Sequence, residues 1–266
     1  MPSVALLIPV YQDQEGLEYS LQRLPIDLPL DVIVVDDGSK PPIRAPRVCE
    51  PHRVFVIRLG ENRGIEYALN AGLRWILEHG YEYVARLDAG DVALPGRFSR
   101  QVEFLEANAD YALVGCQVRF VDKNGREVFQ EQFPTEYEKI RRMMHARNCF
   151  IHSAVMFRTR VLRGVGLYST QYKAAEDYEL FFRITARHKV ANLDDVAVIY
   201  CVDSSGISRS RRRRQLLSRL KTMWRYFDPL LPESYLGILK TLALLFTPVQ
   251  LVVAVKRLLR RRSGWP

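Results

Sequence analysis

The sequence of 266 residues predicts an α/β domain built on a largely parallel sheet, followed by a basic helical extension. Two observations predict the domain: short apolar runs alternate with stretches of helical spacing in the first 90 residues, and polar residues follow three of these runs. The four cysteines lie far apart and form no CxxC pair. This pattern argues against a zinc site or a disulfide framework and suits a reducing compartment.

The first half of the chain supplies four buried strands and two helices. The strands are predicted at residues 4–9, 31–35, 54–59 and 83–87, and the helices at 16–24 and 65–79. Residues 40–51 are rich in proline and predict a loop.

The second half predicts three more helices and four more strands. The helices are expected at residues 94–107, 137–147 and 174–187, and the strands at 111–121, 127–133, 150–157 and 196–202. Residues 122–125 predict a turn, so strands 111–121 and 127–133 would form a hairpin outside the parallel half of the sheet.

Polar residues cluster where the buried strands end. In a parallel sheet a ligand binds outside the carboxyl ends of the strands. Carboxylates at such an end are costly unless a cation or hydrogen-bond donors satisfy them. An Asp/Gly turn is the alternative interpretation of any one strand end. Three strand ends converging on one crevice favour a metal or nucleotide site; their residues are Pro9, Tyr11, Asp36, Asp37, Asp88 and Asp91.

The basic charge of the protein belongs to its C-terminal tail. Residues 209–266 carry a net charge of +12, whereas residues 1–208 carry −3. Apolar residues in 209–227 follow one helical stripe, and residues 236–255 are mostly apolar with breaks at Lys240 and Pro248. This pattern is typical of a membrane-surface helix. The alternative is a helical hairpin that packs on the body or on a second subunit.

The two parts therefore predict a domain at 1–208 and a membrane-associating helical tail at 209–266. The start of the chain has no basic region and too short an apolar run for a signal peptide, and it predicts a strand instead.

Six blocks of the first 208 residues resemble family 2 glycosyltransferases, the inverting enzymes of GT-A fold. Residues 32–39, Val-Ile-Val-Val-Asp-Asp-Gly-Ser, are similar to that family's EIIVVDDGS block, and residues 62–73 to its NxGxxxAxNxGL block. The other similar blocks are 4–12, 86–95, 151–157, and 166–168 taken with 176–182. Residues 200–208 lie where the family's late block usually falls.

The resemblance implies transfer of a sugar, with inversion, from a UDP- or dTDP-linked donor to a saccharide or lipid-linked acceptor. The products would be cell-surface polysaccharide or lipopolysaccharide. The residues expected to bind the donor are Pro9, Tyr11, Asp13, Asp36, Asp37, Arg63 and Asp88. For Arg63, a surface position at a helix start is the alternative.

The resemblance also implies a divalent metal, Mg²⁺ or Mn²⁺, which would neutralise charge on the diphosphate leaving group. The sequence departs from the family here, because Gly90 replaces a carboxylate, and Cys201 and Asp203 replace an Arg and a His. Asp91, with Asp203 from a facing loop, would hold the metal, since Mg²⁺ commonly takes only one or two protein carboxylates.

Asp177 is expected to be the general base that accepts the proton of the acceptor hydroxyl, with Glu176 orienting or binding the acceptor. The alternative is that both acids merely stabilise a first helical turn. His152 would line the junction of donor and acceptor, or else be structural.

Two other functions are alternatives to a transferase. A non-catalytic protein that binds a nucleotide sugar or glycan would explain Gly90, although Glu176 and Asp177 argue against it. A nucleotidyltransferase would carry a Gly-rich loop with Arg and Lys near the first strand, and residues 9–17 have none. The apolar tail favours lipid over nucleic acid. The expected location is the inner face of the cytoplasmic membrane, with a homodimer as an alternative use of the tail.

Overall fold

The computed structural model describes residues 3–45, 50–122, 124–202 and 212–247. The strands are β1 Val4–Val10, β2 Asp31–Asp36, β3 Arg53–Arg58, β4 Tyr83–Arg86, β5 Val92–Ala93, β6 Tyr111–Val121, β7 Glu127–Glu131, β8 Met156–Arg158 and β9 Lys189–Cys201. The helices are α1 Gln14–Leu21, α2 Ile65–Glu78, α3 Arg97–Ala107, α4 Tyr137–Met143, α5 Leu162–Val165, α6 Glu176–Thr185, α7 Arg212–Arg225 and α8 Pro232–Phe246.

The strands form one mixed sheet in the order β3-β2-β1-β4-β8-β6-β9-β5, with β7 paired to β6. Strands β3, β2, β1 and β4 are parallel, as the alternation of strands and helices predicts. The chain runs outward from β1 to β3 and then returns to the other side of β1 as β4. This reversal of strand order opens a crevice at the carboxyl ends of β1 and β4.

Helices cover both faces of the parallel half, which explains its continuous apolar runs. Leu7 and Val35 point into the core beneath α2, whereas Ile8 and Val34 belong to the core on the opposite face. Gly72 lets α2 approach the sheet closely, because an added Cβ would lie 2.3 Å from Leu7 Cδ1. The small residues of α2 therefore fix the distance between helix and sheet.

Several predicted elements have different bounds in the structure. The strand expected at 150–157 is a single helical turn, His152–Ala154, followed by the short β8. The helix expected at 94–107 begins at Arg97, since Val92–Ala93 pairs with β9 and Leu94 N–H donates to Ala197 O. The predicted hairpin exists as β6–β7, but β6 lies inside the sheet between β8 and β9.

Two tail helices pack on the body of the protein. Tyr226, just after α7, stacks on Phe182 of α6 with ring centroids 4.3 Å apart. Leu216 and Met223 of α7 are buried, and Ser218 Oγ donates to Lys173 O. Within the ranges the structure describes, the helices are too short or too polar to cross a membrane.

Candidate active site

The crevice opens where β1 and β4 end. Gln12 N–H donates to Ser39 Oγ over 2.8 Å, which ties the loop after β1 to the loop after β2. Pro9 is half-buried in β1 and Tyr11 is exposed. Asp13 caps α1 by accepting a hydrogen bond from Gly16 N–H, and this fixes the mouth of the crevice.

Asp36 and Asp37 use their carboxylates to hold backbone. Asp36 is fully buried, and its two oxygens accept hydrogen bonds from Ser39 N–H and Ile43 N–H. Asp37 accepts from the N–H groups of Arg63 and Gly64, just before α2. The pair thereby shapes the loop that borders the crevice. All four carboxylate oxygens accept hydrogen bonds from backbone N–H groups of the protein.

Gly38 makes the tight approach between these loops. Its φ of +76° is a conformation that L side chains rarely adopt, and an added Cβ would lie 2.4 Å from the carbonyl carbon of Glu61. The backbone geometry of this loop thus requires glycine at position 38 of the Asp-Asp-Gly-Ser block. Arg63 itself is exposed, with its guanidinium 4.3 Å from the ring centroid of Tyr67.

A buried arginine holds Asp88 at the end of β4. Arg86 is fully buried and donates to Asp88 Oδ1 over 2.6 Å, and also to the carbonyls of Leu7 and Leu87. Burial raises the pKa of the Asp88 carboxyl, but the charge and hydrogen bond of Arg86, together with His152 and Arg97, outweigh this, and the net pKa is lowered. Asp88 is therefore ionised at neutral pH.

His152 braces the same arginine. Its Nε2 lies 3.3 Å from Arg86 Nε and 2.8 Å from the hydroxyl of Tyr168. The Arg86 guanidinium can only donate, so Nε2 accepts its hydrogen bond and the proton of the neutral imidazole is on Nδ1. Burial, with the charge of Arg86, lowers the pKa of His152 to about 3. The neutral imidazole positions Arg86 and Tyr168 from within the wall of the crevice.

Asp91 has one carboxylate oxygen to spare. Its Oδ1 accepts from Cys201 N–H over 3.0 Å, whereas its buried Oδ2 forms no well-aligned hydrogen bond with a described residue. The buried hydroxyl of Ser153 interacts weakly with this carboxylate and partly lowers its pKa. Burial raises the pKa of Asp91 to about 8, and the negative charge of Asp88 adds to the rise. At pH 7 the ligand-free carboxyl therefore keeps a proton, which a bound cation would displace from Oδ2.

Whether a divalent metal fits this site depends on Asp91 Oδ2. In the described ranges no three His, Cys, Asp or Glu side chains are grouped to hold a metal ion. Gly90 offers no carboxylate, and Asp203 lies outside the described residues. Asp91 Oδ2 nevertheless fits Mg²⁺ or Mn²⁺ whose other ligands are diphosphate oxygens and water. Such an ion would neutralise charge on the leaving diphosphate.

Glu176 and Asp177 begin α6 at the other wall. Ala174, two residues earlier, has a φ of +62°, a strained backbone that places the helix start. Burial raises the pKa of Asp177 to about 6, and Asn148 Nδ2 donates to its Oδ2 over 2.9 Å. Burial and the charge of Asp177 raise the pKa of Glu176 to about 8. At pH 7 the pair therefore holds one proton, on Glu176.

The acidic residues on the two walls of the crevice interact electrostatically. The charge of Asp88 contributes to the raised pKa values of Asp91, Glu176 and Asp177, so the structure brings these four predicted residues together. An ionised, partly exposed Asp177 with a pKa near neutrality can accept a proton from a hydroxyl group. The other predicted residues, from Pro9 to Arg63, shape or border the crevice.

Sequence reasoning missed the residues that support this site from behind. Arg86 and Arg97 are fully buried, and Arg97 Nη2 donates to Arg86 O over 2.7 Å. Asn70 of α2 forms two hydrogen bonds with the backbone of Tyr168, 2.8 and 2.9 Å long. Arg86 and Asn70 both lie within blocks that resemble those of the family. Their place in these blocks is the sequence signal that could have identified them.

Known proteins match this chain in sequence and in fold. The family model described as Glycosyl transferase family 2 matches residues 5–166. The amylovoran biosynthesis glycosyltransferase AmsE from Erwinia amylovora is 30% identical over 215 residues, which cover 78% of this chain and 79% of AmsE.

Solved structures share the fold. TarS residues 1–349 from S. aureus, in complex with UDP-GlcNAc, superpose with a TM-score of 0.66 at 16% identity, covering 90% of this chain and 71% of that one. The mannosyltransferase PcManGT from Pyrobaculum calidifontis, in complex with GDP-Man and Mn²⁺, gives 0.61 at 21% identity, covering 100% and 76%. The neighbours are glycosyltransferases of GT-A fold, which confirms the predicted fold class.

Proposed function

The chain belongs to glycosyl transferase family 2, and from that premise we propose that it transfers a sugar from a nucleoside diphosphate donor to an acceptor hydroxyl with inversion. Asp177 is the general base of this proposal. The feature that carries it is the position of Asp177 at the start of α6, partly exposed beside the buried Glu176, with a pKa of about 6 that leaves it mostly ionised at neutral pH. Inversion needs one carboxylate opposite the leaving group.

The donor is proposed to lie along the carboxyl ends of β1 and β4. Tyr11 is exposed at the mouth and stacks on the base in this proposal, while Asp88 accepts hydrogen bonds from the ribose. The complexes of TarS with UDP-GlcNAc and of PcManGT with GDP-Man support a nucleotide-sugar donor. We keep UDP- or dTDP-linked sugars as the proposed donors.

The metal is part of the same proposal. Asp91 Oδ2 holds Mg²⁺ or Mn²⁺ against the diphosphate, and Arg97, buried with its Nη1 unpartnered in the described chain, supplies fixed positive charge nearby. The Mn²⁺ of the PcManGT complex supports this choice of ion. The acceptor is proposed to be a saccharide or lipid-linked saccharide of a cell-surface polysaccharide, in keeping with the biosynthetic role that AmsE's name gives.

The test is donor hydrolysis by purified protein with UDP-, dTDP- and GDP-sugars, in Mn²⁺, Mg²⁺ or EDTA. We expect slow hydrolysis of one donor that EDTA abolishes. Asp177→Asn should lower turnover by about 10²- to 10⁴-fold, the usual contribution of a general base. Asp110→Asn is the matched control, because that exposed aspartate pairs with Lys189.

Two results would contradict the proposal. Donor binding by calorimetry without turnover, in the presence of candidate acceptors, would favour a non-catalytic sugar-nucleotide binding protein. Turnover that Asp177→Asn leaves intact would place the base elsewhere.

A further inference from the structure

Helix α8 buries small residues and exposes large apolar ones. Its buried side is made of Ser234, Gly237 and Thr241, which share one face by their spacing. Gly237 lies against the backbone of the 145–146 turn, where an added Cβ would come within 2.3 Å of His145 O. Ser234 Oγ lies 3.0 Å from His145 Nδ1. The small side of α8 is therefore the side that the protein holds.

The opposite side of α8 is an apolar face, defined here as Leu236, Leu239, Leu242 and Phe246. All four are exposed, with Leu239 at 65% and Phe246 at 85%. A surface helix of a globular protein normally turns such residues toward the core. A contiguous exposed apolar patch marks an interaction surface.

Aromatic rings extend this surface onto α7. Trp224 is 73% exposed, and its ring lies 6.0 Å from that of Phe227, which contacts Tyr235 at 4.9 Å. Trp and Tyr favour the boundary between apolar and aqueous phases, because one end of each ring system is polar. The surface thus combines aliphatic side chains with an aromatic edge.

Positive charge surrounds the apolar face. Residues 212–247 contain seven Lys or Arg and two acidic residues, of which Glu233 is paired with Arg142. Arg213, Arg214 and Lys240 are exposed. Like charge disfavours docking of a second copy on this surface, whereas anionic headgroups complement it.

We propose that the apolar face of α8 docks on the surface of an anionic lipid bilayer, with its aliphatic side chains among the acyl chains and the flanking Lys and Arg at the headgroups. The helix lies in the plane of the interface, in the manner of amphipathic membrane-surface helices. The small residues on its inner side anchor it to the folded domain.

The docked geometry connects the bilayer, through α7, to the helix that carries Glu176 and Asp177. Helix α7 packs against α8, and Tyr226 just beyond α7 stacks on Phe182 of α6, the helix that begins with Glu176 and Asp177. A lipid-linked acceptor would therefore be presented to Asp177 from the surface on which the protein sits. This last step rests on the proposed function, whereas bilayer docking does not.

The experiment is sedimentation of the full chain with vesicles of phosphatidylcholine containing phosphatidylglycerol. We expect binding that falls by about tenfold or more when phosphatidylglycerol is omitted, because anionic lipid attracts the Lys and Arg residues. The double variant Leu239→Ser with Phe246→Ser should weaken binding by about tenfold or more, since both side chains lose apolar area that the bilayer covers. Both side chains are exposed, so folding should be unchanged by circular dichroism.

Ile26→Ser is the matched control, because Ile26 is 64% exposed in a loop of the body. It should leave vesicle binding unchanged. Equal binding by the double variant and wild type would overturn the proposal. So would a full chain that does not sediment with vesicles but forms a dimer in solution that the double variant dissociates. A chain that neither binds vesicles nor forms a dimer would also overturn it. Residues 248–266 of the same chain would then be tested as the segment that covers the apolar face.

Discussion

Replacing Asp177 by Asn should slow sugar transfer by about 10²- to 10⁴-fold and stabilise the fold at the same time. The structure holds the carboxylate partly buried at the start of α6, and burial raises its pKa to about 6. An amide has nearly the same shape, and its oxygen can still accept the hydrogen bond that Asn148 Nδ2 donates. The variant therefore removes a charge and keeps the geometry.

The size of the stabilisation follows from proton linkage. Asp177 has a pKa of about 6 in the folded protein against a usual value of 3.8, so its ionised form costs folding at most about 3 kcal/mol at pH 7. As the pH falls, Asp177 binds a proton in the folded state before it does so in the unfolded state. The free-energy cost of the buried charge to folding therefore decreases. By pH 5 about half of the difference between variant and wild type should be gone.

The assay is urea unfolding of both proteins at pH 7 and pH 5, followed by circular dichroism. The advantage of the variant should be larger at pH 7. In parallel, the turnover of wild type should fall as the pH drops through about 6, since a protonated Asp177 cannot accept the acceptor's proton.

A variant that is less stable than wild type at pH 7 would refute the reasoning, because the carboxylate would then be a stabilising group. A stability difference that stays the same at pH 5 would refute the raised pKa. Asp110→Asn should show neither effect, since Asp110 is exposed and its pKa is lowered by Lys189.

Two further predictions concern glycines of the crevice. Gly38→Ala should destabilise the protein by about 2 to 4 kcal/mol in urea unfolding, through its positive φ and its contact with backbone. Gly80→Ala, with a similar φ and open space around it, should cost about 1 kcal/mol; equal costs would contradict the backbone contact. Gly90→Asp, where no atom lies within 4 Å of an added Cβ, should tighten Mn²⁺ binding in the presence of donor about tenfold by calorimetry. Gly90→Ala controls for its backbone strain, and equal Mn²⁺ affinity in the two variants would argue against metal at this position.

The parallel half of the sheet was predictable because its strands are short apolar runs that end in polar residues. Val4–Val10, Asp31–Asp36 and Tyr83–Arg86 differ from their predicted bounds by one residue at their carboxyl ends. The convergence of Asp88, Asp91, Glu176 and Asp177 followed from the family resemblance and the rule for strand ends.

Local patterns could not predict features that depend on distant partners. Arg86 looks like a polar residue at the end of a strand, but partners from β1 and from the turn at His152 let the structure bury it. Residues 152–154, which supply one of these partners, form a helical turn and not the expected strand. The sequence likewise shows that residues 236–255 are mostly apolar, but only packing shows that the small side of α8 is the buried one.

The hydrogen bonds of the carboxylates distinguish two kinds of acidic residue in the crevice. Asp36 and Asp37 each bond backbone N–H groups through both oxygens, so their charges are satisfied by the protein and support the loops. Asp91 Oδ2 and Glu176 Oε2 are buried and form no well-aligned hydrogen bond in the part of the chain described. A buried polar atom left in this state lowers the stability of the free protein. A ligand can recover that free energy, and for this reason we propose that ligands bind at Asp91 and Glu176 more than at the Asp-Asp-Gly-Ser block.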